Sequence, residues 1–496
     1  MNPRPIIGLI AITILLGASA LLGASVQAAT LAVPSQYPSI RAALASAGQG
    51  DVIEIAPGNY LESGLVAPSG VTITGTGTTP QDVLINGNGQ GRILLLESLS
   101  ETVTIRNITF MNGHARGLTS YDQSGGALFI SNSKARIVKC VFSANTADSH
   151  GGAIRCTNSS PEITSCQFYG NTAPNGGGGA VDLSYDSSPL VVDSYFLGNR
   201  AEWGGALSCR GGSSPRVENG DLIGNVAEGN QGFGGGMFAD NFSFPDLLRT
   251  TVADNEARFG GAMASFHVGP INLDYCTVVN NKGGIMEGGI LLIDSQPLIT
   301  GSIIAFNEGY GVVVSGQPLP EITCTDIFGN SDGDWAIGLE DMASTDGNFT
   351  VDPQFCSVQS GTENRFHLES TSPLAQGGSR CGTLGAHPVS CTGDNPVSQI
   401  PVASAGINKV MAAPNPFNPQ TTVSFELAQS QNVRVSIYGV DGRLIHVLGE
   451  GVFGVGTHDL VWNGQDRSGR KVSSGIYFVM VEGRQDTQRL KVALLK

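Results

Sequence analysis

The sequence predicts an all-β protein, a right-handed parallel β-helix solenoid followed by a small β-sandwich. Three observations predict it. First, glycine pairs recur about every 26 residues, at Gly125-Gly126, Gly151-Gly152, Gly178-Gly179, Gly204-Gly205, Gly235-Gly236, Gly260-Gly261 and Gly288-Gly289; a fixed period in this range marks a solenoid. Second, an Asn recurs in step, at 145, 171, 199, 225, 255, 281, 307 and 330, and the positions three and eight before it are always apolar. Third, the period stops near residue 391, and past residue 410 short alternating strands replace it.

Each repeat contains apolar runs too short for helices, broken by Gly, Asn, Ser and Pro, so the runs are short strands. Three strands and three turns wind once around a core, and the next repeat stacks on them at about 4.8 Å. Like residues then fall above like residues: Phe142, Phe168 and Phe196 in one column, Ile137, Ile163 and Val191 in another. The right hand follows from the general chirality of parallel crossovers. Gly and Asn suit the turns because they tolerate positive φ, and a stacked Asn column can pass amide hydrogen bonds from rung to rung. Proline ten before the Asn, as at Pro161, Pro189 and Pro215, fits the first residue of a strand.

Taken in order, residues 1–28 read as a secretory signal: Arg4, an apolar run from Ile6 to Leu22, and a small-residue site ending at Ala28. An uncleaved anchor is the alternative, since the apolar run is nearly long enough to span a bilayer. Residues 29–391 form the β-helix. Within it, Tyr37 to Gly48 places Ile40, Ala43, Leu44 and Ala47 at helical spacing behind Ser39 as N-cap, a short helix to cover the open end. Residues 71–110 supply early, less regular rungs. The segment 331–391 leaves the period and is expected to seal the C-terminal end. Eleven or twelve coils make a rod of about 55 Å. Residues 392–410 are polar and read as a linker. Residues 411–496 carry 9 Lys+Arg and 7 Asp+Glu, a net of +2, so the rest of the chain holds −17 of the total −15. Their strands around 422–425, 433–437, 444–447, 460–462, 476–479 and 490–492 make a small sandwich.

The repeats resemble those of right-handed parallel β-helix proteins of pectin-lyase-like fold, in the style of the chlamydial polymorphic outer-membrane proteins. The resemblance is carried by Gly151-Gly-Ala-Ile154, Gly204-Gly-Ala-Leu207, Phe142-Ser-Ala-Asn145 and Phe168-Tyr-Gly-Asn171. It implies extracellular or surface placement, often adhesion. Residues 411–496 resemble the C-terminal sorting domain of type IX secretion substrates and the Ig-like domain of the flagellar hook-capping protein. Pro414-Asn-Pro-Phe417, Asp441-Gly-Arg443, Trp462-Asn-Gly464 and Gly475-Ile-Tyr-Phe478 carry that resemblance. It implies an Ig-like fold and export across the outer membrane through secretion machinery; a retained adhesive module is the rival reading.

The chemistry-bearing residues are sparse. The motifs of pectin-depolymerising hydrolases are absent, and the scattered acids Asp182, Asp186, Asp193 and Asp274 read as solvated strand-face residues. The loop between each Asn and the next glycine pair varies in length, and such insertions cluster on one binding face. It supplies the candidate ligand-binding residues Trp203, Phe233, Phe259, Glu202, Arg258 and Glu228. The three rings come from successive repeats. Either each folds over the end of its own coil, as aromatic burial favours, or they form an exposed ladder for sugars. Asn330-Ser-Asp332-Gly-Asp334 offers spaced oxygens for calcium but lacks the closing Glu and suits a polar turn; no other cofactor is expected. Of nine cysteines, Cys381 and Cys391 are the disulfide candidates, and Cys140, Cys166, Cys156 and Cys209 read as stacked buried residues. The acidic charge argues against nucleic acid as a partner.

The expected function is that of an exported, non-catalytic, secreted or cell-surface protein, a monomer that binds a polysaccharide or a surface ligand. A polysaccharide lyase or glycoside hydrolase with a divergent site, and a purely structural envelope component, are the alternatives.

Overall fold

The computed structural model describes residues 28–267, 271–284, 288–316, 319–336, 338–359, 364–375, 381–391, 407–427, 431–439, 443–453, 456–483 and 487–495. The expected signal (1–27), most of the expected linker (392–406) and the Asp441-Gly442 turn lie outside the described residues.

Four parallel sheets run along the rod. Sheet 1 has twelve strands, from Thr30–Val33 to Glu321–Thr323; sheet 2 has eleven, from Gly58–Leu61 to Asp326–Phe328; sheet 3 has eleven, from Leu65–Val66 to Gly333–Trp335. Sheet 4 is an addition to the three strands expected per coil. It has seven strands, mostly of two residues, from His114–Ala115 to Lys282–Gly283, set between sheets 2 and 3.

The register places each predicted column on itself. Ile137, Ile163, Val191 and Val217 pair in sheet 1. Phe110, Phe142, Phe168 and Phe196 stack inside sheet 2 with centroids 5.3, 4.9 and 4.6 Å apart and planes within 9°. All are fully buried, so each adds its full apolar area to one continuous core. The Asn column is buried too. Asn171 Nδ2 donates to Asn199 Oδ1 at 2.9 Å and to Phe142 O at 3.0 Å, and the pattern repeats to Asn330. These bonds satisfy backbone groups that the turn between sheets 2 and 4 would otherwise leave unpaired.

The glycine pair answers two demands. Gly204 has φ +61°, and a Cβ there would meet Leu207 O at 2.0 Å; a Cβ on Gly205 would meet the Gly235 carbonyl of the next rung at 2.3 Å. Backbone stacks on backbone at this corner, so only glycine fits. The prolines end the preceding turn, and their carbonyls accept from the next rung, as Leu190 N→Pro161 O at 3.2 Å.

Helix α1 (Ile40–Ser46) closes the N-terminal end; Ser39 caps it by accepting from Ala42 N at 3.1 Å, and Ile40, Ala43 and Leu44 join the core. At the other end the structure corrects the expectation for 331–391. Leu339, with Trp335 and Met342 packed beside it, plugs the core. The described residues 349–359, 364–375 and 381–391 instead lie back along the outer face of sheet 2 as a strap. Arg365 binds Asp254, Ala386 N donates to Thr277 Oγ1 at 2.9 Å, Gly385 N donates to Gly301 O at 2.8 Å, and Phe366 packs on Ala253 and Val279. The outward residues beneath it are buried, some apolar, as Ile303 and Ala305, and some polar, as Thr251 and Thr277.

The strap also corrects the disulfide. Cys381 pairs with Cys324 and Cys391 with Cys356. Folding back brings a rung turn to Cys381, which nearness in sequence does not reveal. The other five cysteines are free and buried.

The C-terminal domain is two antiparallel sheets. One is Ile407–Ala413, Thr421–Leu427 and Gly456–Trp462; the other is Leu444–Phe453, Gln431–Gly439, Gly475–Glu482 and Thr487–Leu494. The first strand begins inside the expected linker. Phe417, Phe425, Val435, Val479, Val492 and Trp462 fill the space between the sheets. The Pro414-Asn-Pro-Phe417 segment protects the edge of the last strand. Asn415 Nδ2 donates to Lys491 O at 2.8 Å, and Phe417 N donates to Ala493 O at 2.8 Å. An unpaired edge would otherwise invite another strand.

Candidate functional site

The outward face of sheet 3 is the chemically distinctive surface. Its register sets Phe129, Arg155, Asp182, Ser208, Phe238, Ala264 and Leu291 in one outward row. The variable loops fold down over this row.

At the C-terminal half the covering is aromatic. Trp203, Phe233 and Phe259 align as successive parallel bridges, so the three candidate rings do come together. They lie down on Phe238, Ala264 and Leu291 and are half-buried. Phe233 and Phe259 stack at 4.9 Å, whereas Trp203 turns to Phe238 at 6.5 Å. The charged candidates sit around them. Arg258 lies over Phe259 at 5.2 Å and donates to Asn230 O; Glu228 is exposed and pairs with Arg200; Glu202 is half-buried. Met286 and Glu287 of the same loop set lie outside the described residues.

In the middle the row is charged and buried. Asp182 is fully buried, which corrects its reading as a solvated acid; Asp186 and Asp193 are exposed and Asp274 is half-buried. Asp182 pairs with Arg155 and lies 3.4 Å from Arg210. Arg155 Nη2 also donates to Ser184 Oγ at 2.8 Å. Arg210 lies over the Trp203 ring at 5.4 Å and contacts the His150 ring at 3.2 Å. Gly177 N donates to His150 Nδ1 at 2.9 Å, which places the ring proton on Nε2. Burial, then Arg155 and Arg210, pushes the His150 imidazole down to about 3, so it is neutral. Burial and Arg210 pull the Arg155 guanidinium to about 9, still charged at neutral pH. One signal for this cluster was available in sequence: Arg155 and Asp182 each follow a Gly-Gly-Ala-apolar run, one rung apart. Stacking at about 4.8 Å makes them neighbours.

Toward the N-terminal end the row opens into a cleft of about 380 Å³, lined by Tyr121, Phe129, Ser131, Asn132, Arg155, Thr157, Asn158 and Tyr185 among others. Phe129 forms the floor under Arg92, which lies 4.7 Å above its ring. Tyr121 donates to Glu97 Oε1 at 2.9 Å and forms one wall. Tyr185, 70% exposed and at φ +55°, stands at the other side. Asn132 and Asn158 continue into a second cleft with Ser133, Lys134, Ser159 and Ser160. None of the candidate residues from the variable loops lines either cleft, because those loops close onto sheet 3 farther along the rod.

At the calcium candidate, Asp334 Oδ1 accepts from Asn330 N at 2.9 Å and Ser331 donates to Asp332 Oδ1 at 3.1 Å. Among the described residues no three His, Cys, Asp or Glu side chains come together as metal ligands. Nearby Asp326 is fully buried, and burial raises its carboxyl to about 7, with Asp334 and Asp352 acting in the same direction against one hydrogen bond from Val351 N. The unfolded carboxyl titrates near 3.9. The folded state therefore disfavours the charged form: no cost falls below pH ~4, and the cost grows as pH rises to about 7. Asp326→Asn is expected to be more stable than the parent at pH 8, by up to ~4 kcal/mol, with the gain vanishing near pH 4. Thermal unfolding at the two pH values checks this.

The fold and this site define a right-handed parallel β-helix solenoid carrying a C-terminal Ig-like β-sandwich. Residues 125–294 match the family described as the right handed beta helix region, and residues 413–487 match the FlgD Ig-like domain. No curated protein matches the chain. Among solved structures the chain is similar to a mutant of the PL6 family alginate lyase AlyGC, at 14% identity and TM-score 0.31, over 73% of this chain and 59% of that one. It is also similar to a rice weevil pectin methyl esterase, at 13% identity and TM-score 0.20, over 49% of this chain and 76% of that one. The chain thus spans 59% of the lyase's length, and neither likeness says what this chain binds.

Proposed function

We propose that this is an exported, non-catalytic protein of the cell exterior that binds a glycan in the cleft between Tyr121 and Tyr185. The observation that carries the reading is the cleft itself. An exposed tyrosine ring stands over a groove of amides and hydroxyls, Asn132, Asn158, Ser131 and Thr157, with an apolar floor at Phe129. Sugar rings present an apolar face and a rim of hydroxyls, and a few convergent polar groups on a concave surface fix such ligands. The charged groups beside the cleft favour binding over turnover. Both arginines engage Asp182, and the His150 Nδ1 lone pair is taken by Gly177 N–H, so neither is free as a general base. Export is supported by the signal-like start and the Ig-like module resembling a sorting domain.

Calorimetry of the full chain with a panel of neutral and acidic oligosaccharides tests this. Tyr185→Ala is expected to weaken binding by about 10-fold, since stacking on one exposed ring is worth about 1–1.5 kcal/mol. Unchanged binding would remove the cleft from consideration, and new reducing ends or unsaturated products would overturn the non-catalytic reading. Export is checked separately: deleting residues 407–496 is expected to retain the protein inside the outer membrane.

A further inference from the structure

The C-terminal domain rests on the β-helix through its last two strands, and the contact is built of complementary charge. Arg489, on the strand Thr487–Leu494, donates to Asn272 Oδ1 at 3.2 Å on the outer side of sheet 1. Burial depresses the Arg489 guanidinium; Asp246 and Asp274, which flank Asn272, act against that, while Arg216, paired with Asp246, acts with it. Two residues further along the strand, Lys491 Nζ lies 3.5 Å from Asp186 Oδ2, at the turn that follows Tyr185. Phe478 on the neighbouring strand meets Phe244 edge-on at 6.0 Å. Glu482 faces Glu321, and Arg434 and Arg489 offset that repulsion. The global balance has the same sense: +2 on the domain against −17 on the remainder.

We infer that the outer face of sheet 1 at Asp246, Asn272 and Asp274, with the turn at Asp186 that leads into it, is a docking surface for the chain's own C-terminal domain. The domain is carried folded against the β-helix, with its basic final strand shielded. Any factor that recognises that strand must then compete with the β-helix for it. The contact is small and charged, so as a bimolecular encounter it would be weak. Covalent attachment changes that. The fifteen residues 392–406 reach at most about 50 Å when extended, which holds the domain at an effective concentration on the order of millimolar. The Lys491–Asp186 pair is exposed and is screened over about 10 Å at 0.1 M salt, so salt weakens the docked state.

Small-angle X-ray scattering of the full chain reads the docking directly. In 20 mM NaCl the maximum dimension is expected to match the docked form, and in 500 mM NaCl it should lengthen. Arg489→Glu with Lys491→Glu should lengthen the particle already in 20 mM NaCl. Lys491→Glu with Asp186→Lys, which restores one pair with its sign reversed, should recover part of the compaction. Hydrogen exchange gives a second readout: amides of 272–274 should lose protection in the double-Glu variant while those of 163 and 168 do not change. A particle extended at both salt concentrations, dimensions indifferent to the charge reversal, or a doubled mass showing that the surface takes a second copy's domain would each overturn the inference. None of these readouts involves a glycan, so they stand or fall apart from the cleft.

Discussion

Replacing Asp182 by Ala is expected to cost about 3–5 kcal/mol of local stability, the range seen when one partner of a buried ion pair is removed. Asp182 is fully buried and is the acid between Arg155 and Arg210. Its loss leaves two guanidiniums facing each other under the loops that carry His150 and Trp203, with Asp240 acting on Arg210 alone. Burial already weakens both: the Arg155 and Arg210 guanidiniums are each lowered chiefly by desolvation. Asp182→Asn is expected to cost less, because it keeps an acceptor while losing the charge. The informative control is apolar. Arg155→Met combined with Asp182→Leu should recover most of the loss, since well-packed hydrophobic replacements of buried pairs are often neutral or better. Because a solenoid unfolds by neighbouring repeats rather than in one step, the measurement is amide exchange in 154–157, 181–184 and 207–209. A change under 1 kcal/mol there for Asp182→Ala would mean that water reaches the cluster.

Asn225→Ala is expected to be of similar size, about 3–5 kcal/mol, from the desolvated groups it strands, each costing about 1–3 kcal/mol. Asn225 Oδ1 accepts from Asn199 N at 3.0 Å and from Asn199 Nδ2 at 2.9 Å, and its own Nδ2 donates to Phe196 O at 3.0 Å and to Asn255 Oδ1 at 3.0 Å. Alanine removes the oxygen that accepts two of these bonds and the amide nitrogen that donates the other two, at a site with no solvent access. Asn225→Asp should be no better: a carboxylate cannot donate to Phe196 O, and it buries a charge. The cost should fall toward the end of the ladder, where Asn330 donates to Asp334 in place of a further Asn and is slightly exposed. Urea unfolding monitored at the rungs on either side of 225 checks the gradient. Equal, small losses at Asn225 and Asn330 would show that the amides do not act as a continuous ladder.

These two residues mark the boundary of what could be read from the chain alone. The Asn, Phe and Ile columns and most of the Gly-Gly column were legible because each coil pairs with the next in fixed register, so a position that must be buried, or must lack a Cβ, recurs at the same place. At Gly235-Gly236 and Gly288-Gly289 the true register runs one residue earlier, with Gly235 on Gly205 and Gly288 on Gly261, and Gly236 and Gly289 stand in the Ala column. The same holds for α1, whose cap and apolar face are local, and for the six expected strands of the C-terminal domain, each of which lies within an observed strand. Asp182 was misread because its column varies from rung to rung, Arg to Asp to Ser to Phe. Whether such an outward residue is solvated depends on which loop folds over it.

Long-range folding decided the rest. The strap over sheet 2 joins Asp254 to Arg365 and Thr251 to His387, and the disulfides follow its path to Cys324 and Cys356. None of these pairings is periodic, so no column announces them. The aromatic loop residues were found as a group, but their direction, down onto Phe238 and Leu291, was set by the apolar patch beneath. The cleft lies instead where the covering loops part, between Tyr121 and Tyr185. A self-stacking repeat writes its core into the sequence once per turn, whereas what lies on its outer faces is chosen by contacts between segments tens to hundreds of residues apart.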